Sequence, residues 1–191
     1  FGEIGINEKI IVERGKKLGT SKNIFDAEGR ILCPGIIDTH THYDAQLTWD
    51  NSASPSLDLG VTTALIGNCG FTIAPCKPEH RDLNMLNLTK VEGMSYNTLK
   101  EGIDWSYESY KEYLNLLESK KLALNICSYI GHSAVRIWSM GDAAMEREAT
   151  ESEIIEMENI VKDAMSLGAI GFATSTFEGH NGEGGRPMPS R

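Results

Sequence analysis

The sequence lacks the features that mark several large classes of protein. No apolar run approaches the ~20 residues that a membrane-spanning helix requires. Positive charge is scarce, because 18 lysines and arginines stand against 27 aspartates and glutamates for a net charge of −9, and basic clusters do not exceed lysine pairs. We therefore expect neither a membrane nor a nucleic acid as a partner.

Cysteine is sparse as well. The four cysteines show no paired spacing, which argues against a disulfide framework and favours a reducing, cytoplasmic compartment. The chain starts at Phe1 without a recognisable signal peptide. We expect its true amino terminus, together with any targeting signal, to be missing.

What is present fits an α/β protein with a sizeable core. Of the 191 residues, 40% are hydrophobic and 24% are charged. Residues 4–13 and 23–33 predict short strands of a small sheet. From residue 36 onward the pattern changes, and buried strands are predicted near residues 36–40, 62–69, 123–130 and 169–174.

Two amphipathic helices are predicted between the buried strands. One covers residues 107–118. The other begins at the candidate N-cap Thr150, which Glu153 follows at capping-box spacing, and it stops at Gly168. The connection over residues 71–105 is unusually long for this kind of fold, and its length suits either a wall of a substrate pocket or a simple structural insertion.

Side chains with metal-binding chemistry lie where the first two buried strands end. Asp38, His40 and His42 are every second residue of the first strand and therefore share one face of it. Cys69 lies at the end of the second strand. The carboxyl ends of parallel strands are where α/β enzymes place their active sites. Two imidazoles and a thiolate suit zinc, and zinc with an open coordination position activates water for hydrolysis. A His-x-His pattern alone fits two solvent-facing histidines equally well, so the strand-end context supports the metal site.

Three more polar residues are candidates for the same edge of the sheet. His132 and Arg136 follow the third buried strand, where Arg136 could bind an acidic substrate group. Ser175 ends the fourth strand and could line the site. A capping histidine, a surface arginine and a helix-capping hydroxyl are equally simple interpretations. His180 lies among glycines and is expected in solvent or in a mobile lid.

Seven segments of the sequence together carry a resemblance to a known family. They are Pro34 to Gln46, Gly60 to Thr63, Gly67 to Pro75, Val91 to Met94, Gly131 to Arg136, Met140 to Asp142 and Pro187 to Arg191. These segments resemble the D-aminoacylase family, whose members are N-acyl-D-amino-acid deacylases of the amidohydrolase superfamily. The Gly-Asn-Cys-Gly sequence around Cys69 points to this deacylase branch, whereas His-x-His alone would indicate only the superfamily. The similarity covers nearly the whole chain.

The resemblance implies a metal-dependent (β/α)₈ TIM barrel attached to a small β-sandwich. Residues 1–34 would form part of the β-sandwich domain, and residues 35–191 the amino-terminal half of the barrel, with about four strands. The chain would then be an amino-terminal fragment, inactive by itself, with two further histidine ligands and the general-base aspartate beyond Arg191.

The resemblance also implies roles for the residues at the strand ends. Cys69 would hold a zinc ion tightly, and His40 and His42 would border a second, weaker metal position, so that one or two Zn²⁺ ions bind. Asp38 is expected to hydrogen-bond an imidazole or the barrel interior rather than to coordinate metal. His132, Arg136 and Ser175 stay candidates for contacts with the substrate.

Three functions remain open at this point. The full-length protein would be a zinc-dependent hydrolase that cleaves the amide of an N-acyl-D-amino acid, a small molecule, to a D-amino acid and a carboxylate. The first alternative is a cyclic amidohydrolase of the hydantoinase or dihydropyrimidinase kind, although these usually carry a bridging lysine that has no counterpart at a strand end here. The second alternative is a non-catalytic, metal-binding half-barrel.

Overall fold

Residues 1–34 and residues 35–191 form two separate units of the chain. The structure is a computed structural model and describes residues 1–181, 185 and 187–189. In the first unit, β1 (Glu3–Asn7) and β2 (Ile10–Gly15) pair as an antiparallel hairpin. The predicted strand over residues 23–33 is wrong. These residues follow a non-repetitive path with a turn in which the Arg30 amide donates to the Ala27 carbonyl, and no described residue pairs with them as a strand.

The second unit contains parallel strands whose order in space follows their order in the chain. β3 (Ile36–Asp38), β4 (Val61–Ile66) and β5 (Asn125–Ser128) form one sheet in the order β3-β4-β5. β6 (Ile130–Gly131) pairs in parallel with β7 (Phe172–Ala173). Consecutive parallel strands joined by helical connections are the arrangement of a (β/α)₈ barrel, and the four predicted buried strands all appear, in shorter form.

The two sheets are joined through a single residue between β5 and β6. The Tyr129 amide donates to the Ile66 carbonyl on the β4 side, and the Ile130 amide donates to the Gly171 carbonyl on the β7 side. Residues 125–131 therefore act as one bent strand that pairs with β4 at its start and with β7 at its end.

Helices connect the strands. The long connection over residues 71–105 contains two of them, α1 (Arg81–Val91) and α2 (Tyr96–Gly102). α3 (Tyr110–Ser119) leads into β5, α4 (His132–Met140) follows β6 directly, and α5 (Glu151–Ser166) leads into β7. Short 3₁₀ segments lie at residues 46–48, 57–59, 68–70, 78–80 and 141–145. None of the helices that the structure describes is long and apolar enough to cross a membrane.

The main core lies between the strands and the helices of the second unit. Ala64 and Ile66 of β4 and Ile130 of β6 are buried in one hydrophobic cluster that includes side chains of α3, among them Tyr113. The Tyr113 hydroxyl donates to the backbone carbonyl of Asp44 over 2.8 Å. This bond ties α3 to the chain immediately after the His-x-His segment, so packing of the core also fixes the backbone beside the candidate site.

Candidate metal centre

The His-x-His segment begins where β3 ends and is fixed by hydrogen bonds to backbone groups. The Asp38 carboxylate accepts a hydrogen bond of 3.1 Å from the His40 amide, which shapes the turn out of the strand. Thr41 then holds the segment against β4, because its amide and its hydroxyl both donate to the Leu65 carbonyl. The side chains on either side of Thr41 share the other face, and the rings of His40 and His42 meet edge to face with centroids 5.3 Å apart.

The loop after β4 brings Cys69 to the same place in an unusual conformation. Gly67, Cys69 and Gly70 all have positive φ, of 82°, 56° and 80°. A Cβ at Gly67 would lie 2.7 Å from the Tyr129 carbonyl oxygen, and one at Gly70 would lie 2.8 Å from that of Ala173. Glycine is therefore needed on both sides of Cys69, both for the backbone conformation and for close packing on the neighbouring strands.

Hydrogen bonds attach this loop to the His-x-His segment. The Asn68 side-chain amide donates to the carbonyls of Thr41 and Leu65, at 3.1 and 2.9 Å. The Gly67 amide donates over 3.0 Å to the carboxylate of Asp44, which is fully buried. Burial raises the pKa of Asp44 to about 7. The histidines and the cysteine are thus held by one continuous network rather than by independent loops.

The result is a cluster of three side chains that could hold a metal ion. One ligand atom from each of His40, His42 and Cys69 lies within 4.8 Å of the others, and His40 Nε2 is 3.4 Å from Cys69 Sγ. Ligand atoms around a tetrahedral zinc ion lie roughly 3.3–3.8 Å apart, given bonds of about 2.0–2.3 Å. The donor types and the spacing therefore fit zinc with little rearrangement.

The surroundings set the protonation states of the donors. Burial, together with the positive charge available to His40 and His180, lowers the pKa of His42 to about 4, so its imidazole is neutral at pH 7 and keeps a lone pair for a metal. Burial and the nearby Glu92 carboxylate raise the pKa of the Cys69 thiol. This thiol keeps its proton until a metal displaces it, so metal binding would release a proton.

Glu92 is a site residue to which the sequence analysis assigned no role. Its Oε1 lies 3.4 Å from His42 Nδ1, and the two side chains are only 18% and 16% exposed. Glu92 follows α1 in the long connection, and burial raises its pKa. The segment Val91 to Met94 resembles the family, but that resemblance gave Glu92 no chemical role. Its position beside His42 depends on how the connection folds across the strand ends.

The three candidate substrate residues lie at later strand ends and have partners of their own. His132 Nδ1 is hydrogen-bonded to Thr174 Oγ1 at 2.9 Å, and its ring packs on Phe172. Arg136 points into the helical layer, where Nη2 donates to the carbonyls of Ala144 and Arg147. Ser175 is buried beyond the end of β7. The structure does not add these residues to the three-donor cluster.

His180 differs from its expected place in solvent or a lid. Its Nδ1 is hydrogen-bonded to Ser175 Oγ at 2.7 Å, and its ring packs edge to face on Phe71 and Phe177. The residue is partly buried and influences the pKa of His42. The glycines around it gave a misleading signal, since the aromatic contacts that hold the ring come from residues outside the glycine-rich segment.

Comparison with known proteins identifies the family to which this arrangement of strands belongs. Residues 23–181 match the model of the amidohydrolase family. The chain belongs to this family. As an amidohydrolase it is 34% identical over 152 residues to a D-aminoacylase of Alcaligenes xylosoxydans xylosoxydans, an alignment that covers 80% of this chain and 29% of that relative.

Two solved structures extend the comparison. A D-aminoacylase described by its binuclear metal centre, with one-metal activation and second-metal attenuation, superimposes with a TM-score of 0.73 and 30% identity over 91% of this chain and 34% of its own. The second structure is an N-acyl-D-glutamate deacylase of Bordetella bronchiseptica in complex with zinc and a phosphonate mimic of the tetrahedral intermediate. It superimposes with a TM-score of 0.66 and 25% identity over 96% of this chain and 35% of its own. These matches confirm the predicted family and barrel fold. The chain spans about a third or less of the relatives it matches.

Proposed function

We propose that this chain supplies one wall of a metal-dependent hydrolase site that cleaves the amide of N-acyl-D-amino acids to a D-amino acid and a carboxylate. The observation that carries the proposal is the convergence of His40, His42 and Cys69 at the carboxyl ends of adjacent parallel strands in an amidohydrolase. The named activities and the zinc complex of the relatives support the choice of substrate and metal.

The chain's own residues would hold one or two zinc ions. The Cys69 thiolate is the soft, charged donor of the set, and the imidazoles of His40 and His42 complete what this part of the fold offers. Bound zinc supplies an activated water and polarises the amide carbonyl. The left-handed turn at Cys69 and the Asp38 bond to the His40 backbone keep these donors in place.

We also propose roles in substrate binding, with unequal support. His132 and Ser175 follow strands that pack against the Cys69 loop, since Gly131 approaches the Gly70 carbonyl and Gly70 approaches Thr174. Arg136 has less support, because its guanidinium would first have to give up two backbone carbonyls.

The remaining parts of the site would come from later strands. The relatives are about three times as long as the matched region, which supports a general base and further ligands outside these 191 residues. We expect no turnover by the 191-residue chain alone. His40, His42 and Cys69 would hold metal, but no described residue is assigned as the general base.

The test compares the 191-residue chain with the longest product that its gene encodes. Both are assayed with N-acetyl-D-amino acids, their L-enantiomers and hydantoins, before and after removal of metal with a chelator and return of zinc. We expect D-selective deacylation by the longer product that disappears with the metal and returns with zinc. Hydrolysis of hydantoins alone would favour the cyclic amidohydrolase, and metal-independent hydrolysis would contradict both.

A further inference from the structure

Glu92 occupies a place that is unfavourable for a carboxylate. It is the C-terminal cap of α1, where the negative end of the helix dipole opposes negative charge. It is also mostly buried, and its pKa is raised by that burial. Among the described residues, no lysine or arginine forms an ion pair with it, and its charged-group contact is with His42. A carboxylate that is both buried without a cationic partner and placed at the negative end of a helix is expected at a functional site.

Among the described residues, His42 lacks a hydrogen-bond partner that a carboxylate such as Glu92 could supply. Its Nδ1 is buried and makes no hydrogen bond within the described part of the chain. The nearest carboxylate oxygen, Oε1 of Glu92, lies 3.4 Å away, beyond the ~2.9–3.0 Å of a typical N–H···O bond by only about 0.5 Å. A buried donor without a partner is costly, so a shift of this size would satisfy both groups.

The contact is not an ordinary ion pair. A histidine that gives one nitrogen lone pair to a metal is a neutral ring, so in the metal site the pair consists of a carboxylate beside a neutral imidazole. A neutral imidazole has one N–H, and a carboxylate can only accept. The arrangement therefore favours the tautomer with hydrogen on Nδ1 and leaves the lone pair on Nε2.

We propose that Glu92 is a positioning residue for the metal centre: it accepts the Nδ1–H of His42 and so directs Nε2 of that histidine to the metal. A histidine that binds metal commonly donates its second nitrogen to a carboxylate, which orients the ring and raises its basicity. The proposal deepens the proposed function and rests on it only in taking the cluster of His40, His42 and Cys69 as the metal site. It gives the long connection after β4 a role in metal binding, through the end of α1.

The experiment uses two substitutions and a matched control in the full chain. Glu92→Gln keeps the size and one acceptor oxygen but removes the charge, and Glu92→Ala removes the acceptor. Glu101→Gln makes the same chemical change at an exposed glutamate of α2. Zinc affinity is measured by competition with a chromophoric chelator, and Co²⁺ absorption reports the ligand set. Circular dichroism checks that each variant is folded.

We expect zinc affinity to fall about 10–100-fold in Glu92→Ala, by less in Glu92→Gln, and not at all in Glu101→Gln, with an unchanged type of Co²⁺ spectrum. Equal affinity in all four proteins would overturn the proposal. A Co²⁺ spectrum that shows the loss of an oxygen ligand in both Glu92 variants would also overturn it, because Glu92 would then coordinate the metal itself.

A second measurement needs no metal. Long-range ¹H–¹⁵N NMR spectra of the imidazoles assign the tautomer of His42 in the metal-free chain. We expect the Nδ1–H form in the parent and in Glu101→Gln, and a mixture or the Nε2–H form in Glu92→Ala. The same tautomer in all variants contradicts the role of Glu92. Failure of the parent to bind zinc, with the expected tautomers present, contradicts the proposed function instead.

Discussion

At the scale of single residues, the donors of the site differ in what fixes them. His40 and His42 follow from strand alternation, which the sequence shows directly. Cys69 depends on a left-handed backbone at a non-glycine residue, and it is held between two glycines. The thiol is also the donor whose chemistry is hardest to replace, because a hydroxyl stays protonated where a thiolate forms.

This difference predicts the outcome of Cys69→Ser. The substitution preserves the size and shape of the side chain but replaces a soft thiolate with a neutral, weak ligand. We expect at least about a 10-fold loss of zinc affinity, the scale on which even outer partners of a ligand act, with little change in thermal stability of the metal-free chain. Chelator competition and a thermal melt measure the two effects. Cys33→Ser, at an exposed cysteine, is the control, and parent-like zinc affinity in Cys69→Ser would remove Cys69 from the site.

The sequence reveals the strand-end donors but not their neighbours. His40, His42 and Cys69 could be predicted because they lie just beyond the ends of two recognisable strands. Glu92 and His180 could not, since their contacts depend on the path of long irregular segments across the barrel mouth. Local patterns carry no information about such a path, which tertiary packing determines.

At the scale of elements, the segments with local stop and start signals were the predictable ones. α5 begins after Thr150, and Thr150 and Glu153 form the reciprocal capping box that their spacing predicts. The strand predicted over residues 23–33 fails because a strand requires a partner as well as a suitable sequence. Within residues 71–105 the sequence favours a short helix only over Asp82 to Leu86, inside α1, because neither α1 nor α2 has a clear apolar stripe.

The loop after β4 gives a prediction at this scale. Gly67→Ala places a methyl group 2.7 Å from the Tyr129 carbonyl and forces alanine to a φ of 82°. The left-handed conformation alone costs about 1–2 kcal/mol, and the backbone contact adds to it. We expect urea unfolding to show a larger loss of stability than this, together with weaker zinc binding, because the loop carries Cys69.

Gly168→Ala separates the two causes. Gly168 has a φ of 103° but no atom within 4 Å of an added Cβ, so it tests the conformational cost without the steric one. It lies after α5, at the start of the connection into β7, and we expect it to leave zinc affinity unchanged. Equal losses of stability and of zinc affinity in the two variants would show that close packing of the loop on Tyr129 is unimportant.

At the scale of the whole molecule, the order of parallel strands leaves edges and apolar side chains uncovered. In the residues that the structure describes, β3 pairs with β4 alone and β7 pairs with β6 alone. Ile37 on β3 is 61% exposed and Phe172 on β7 is 45% exposed. Barrels avoid such edges by closing, and an open edge offers unpaired backbone groups to another chain.

We therefore expect the 191-residue chain to self-associate as its concentration rises, which size-exclusion chromatography with light scattering would detect. Ile37→Lys should reduce the association, because a charge on an edge strand opposes pairing with a second edge. Leu59→Lys makes a similar change at a side chain that is 71% exposed but lies in a 3₁₀ segment rather than in a strand. If both lysines act equally, association arises from general apolar exposure; if the parent stays monomeric at all concentrations, the edges are not adhesive. A selective effect of Ile37→Lys would locate the self-associating surface at β3, the strand that leads into His40 and His42 of the candidate metal centre.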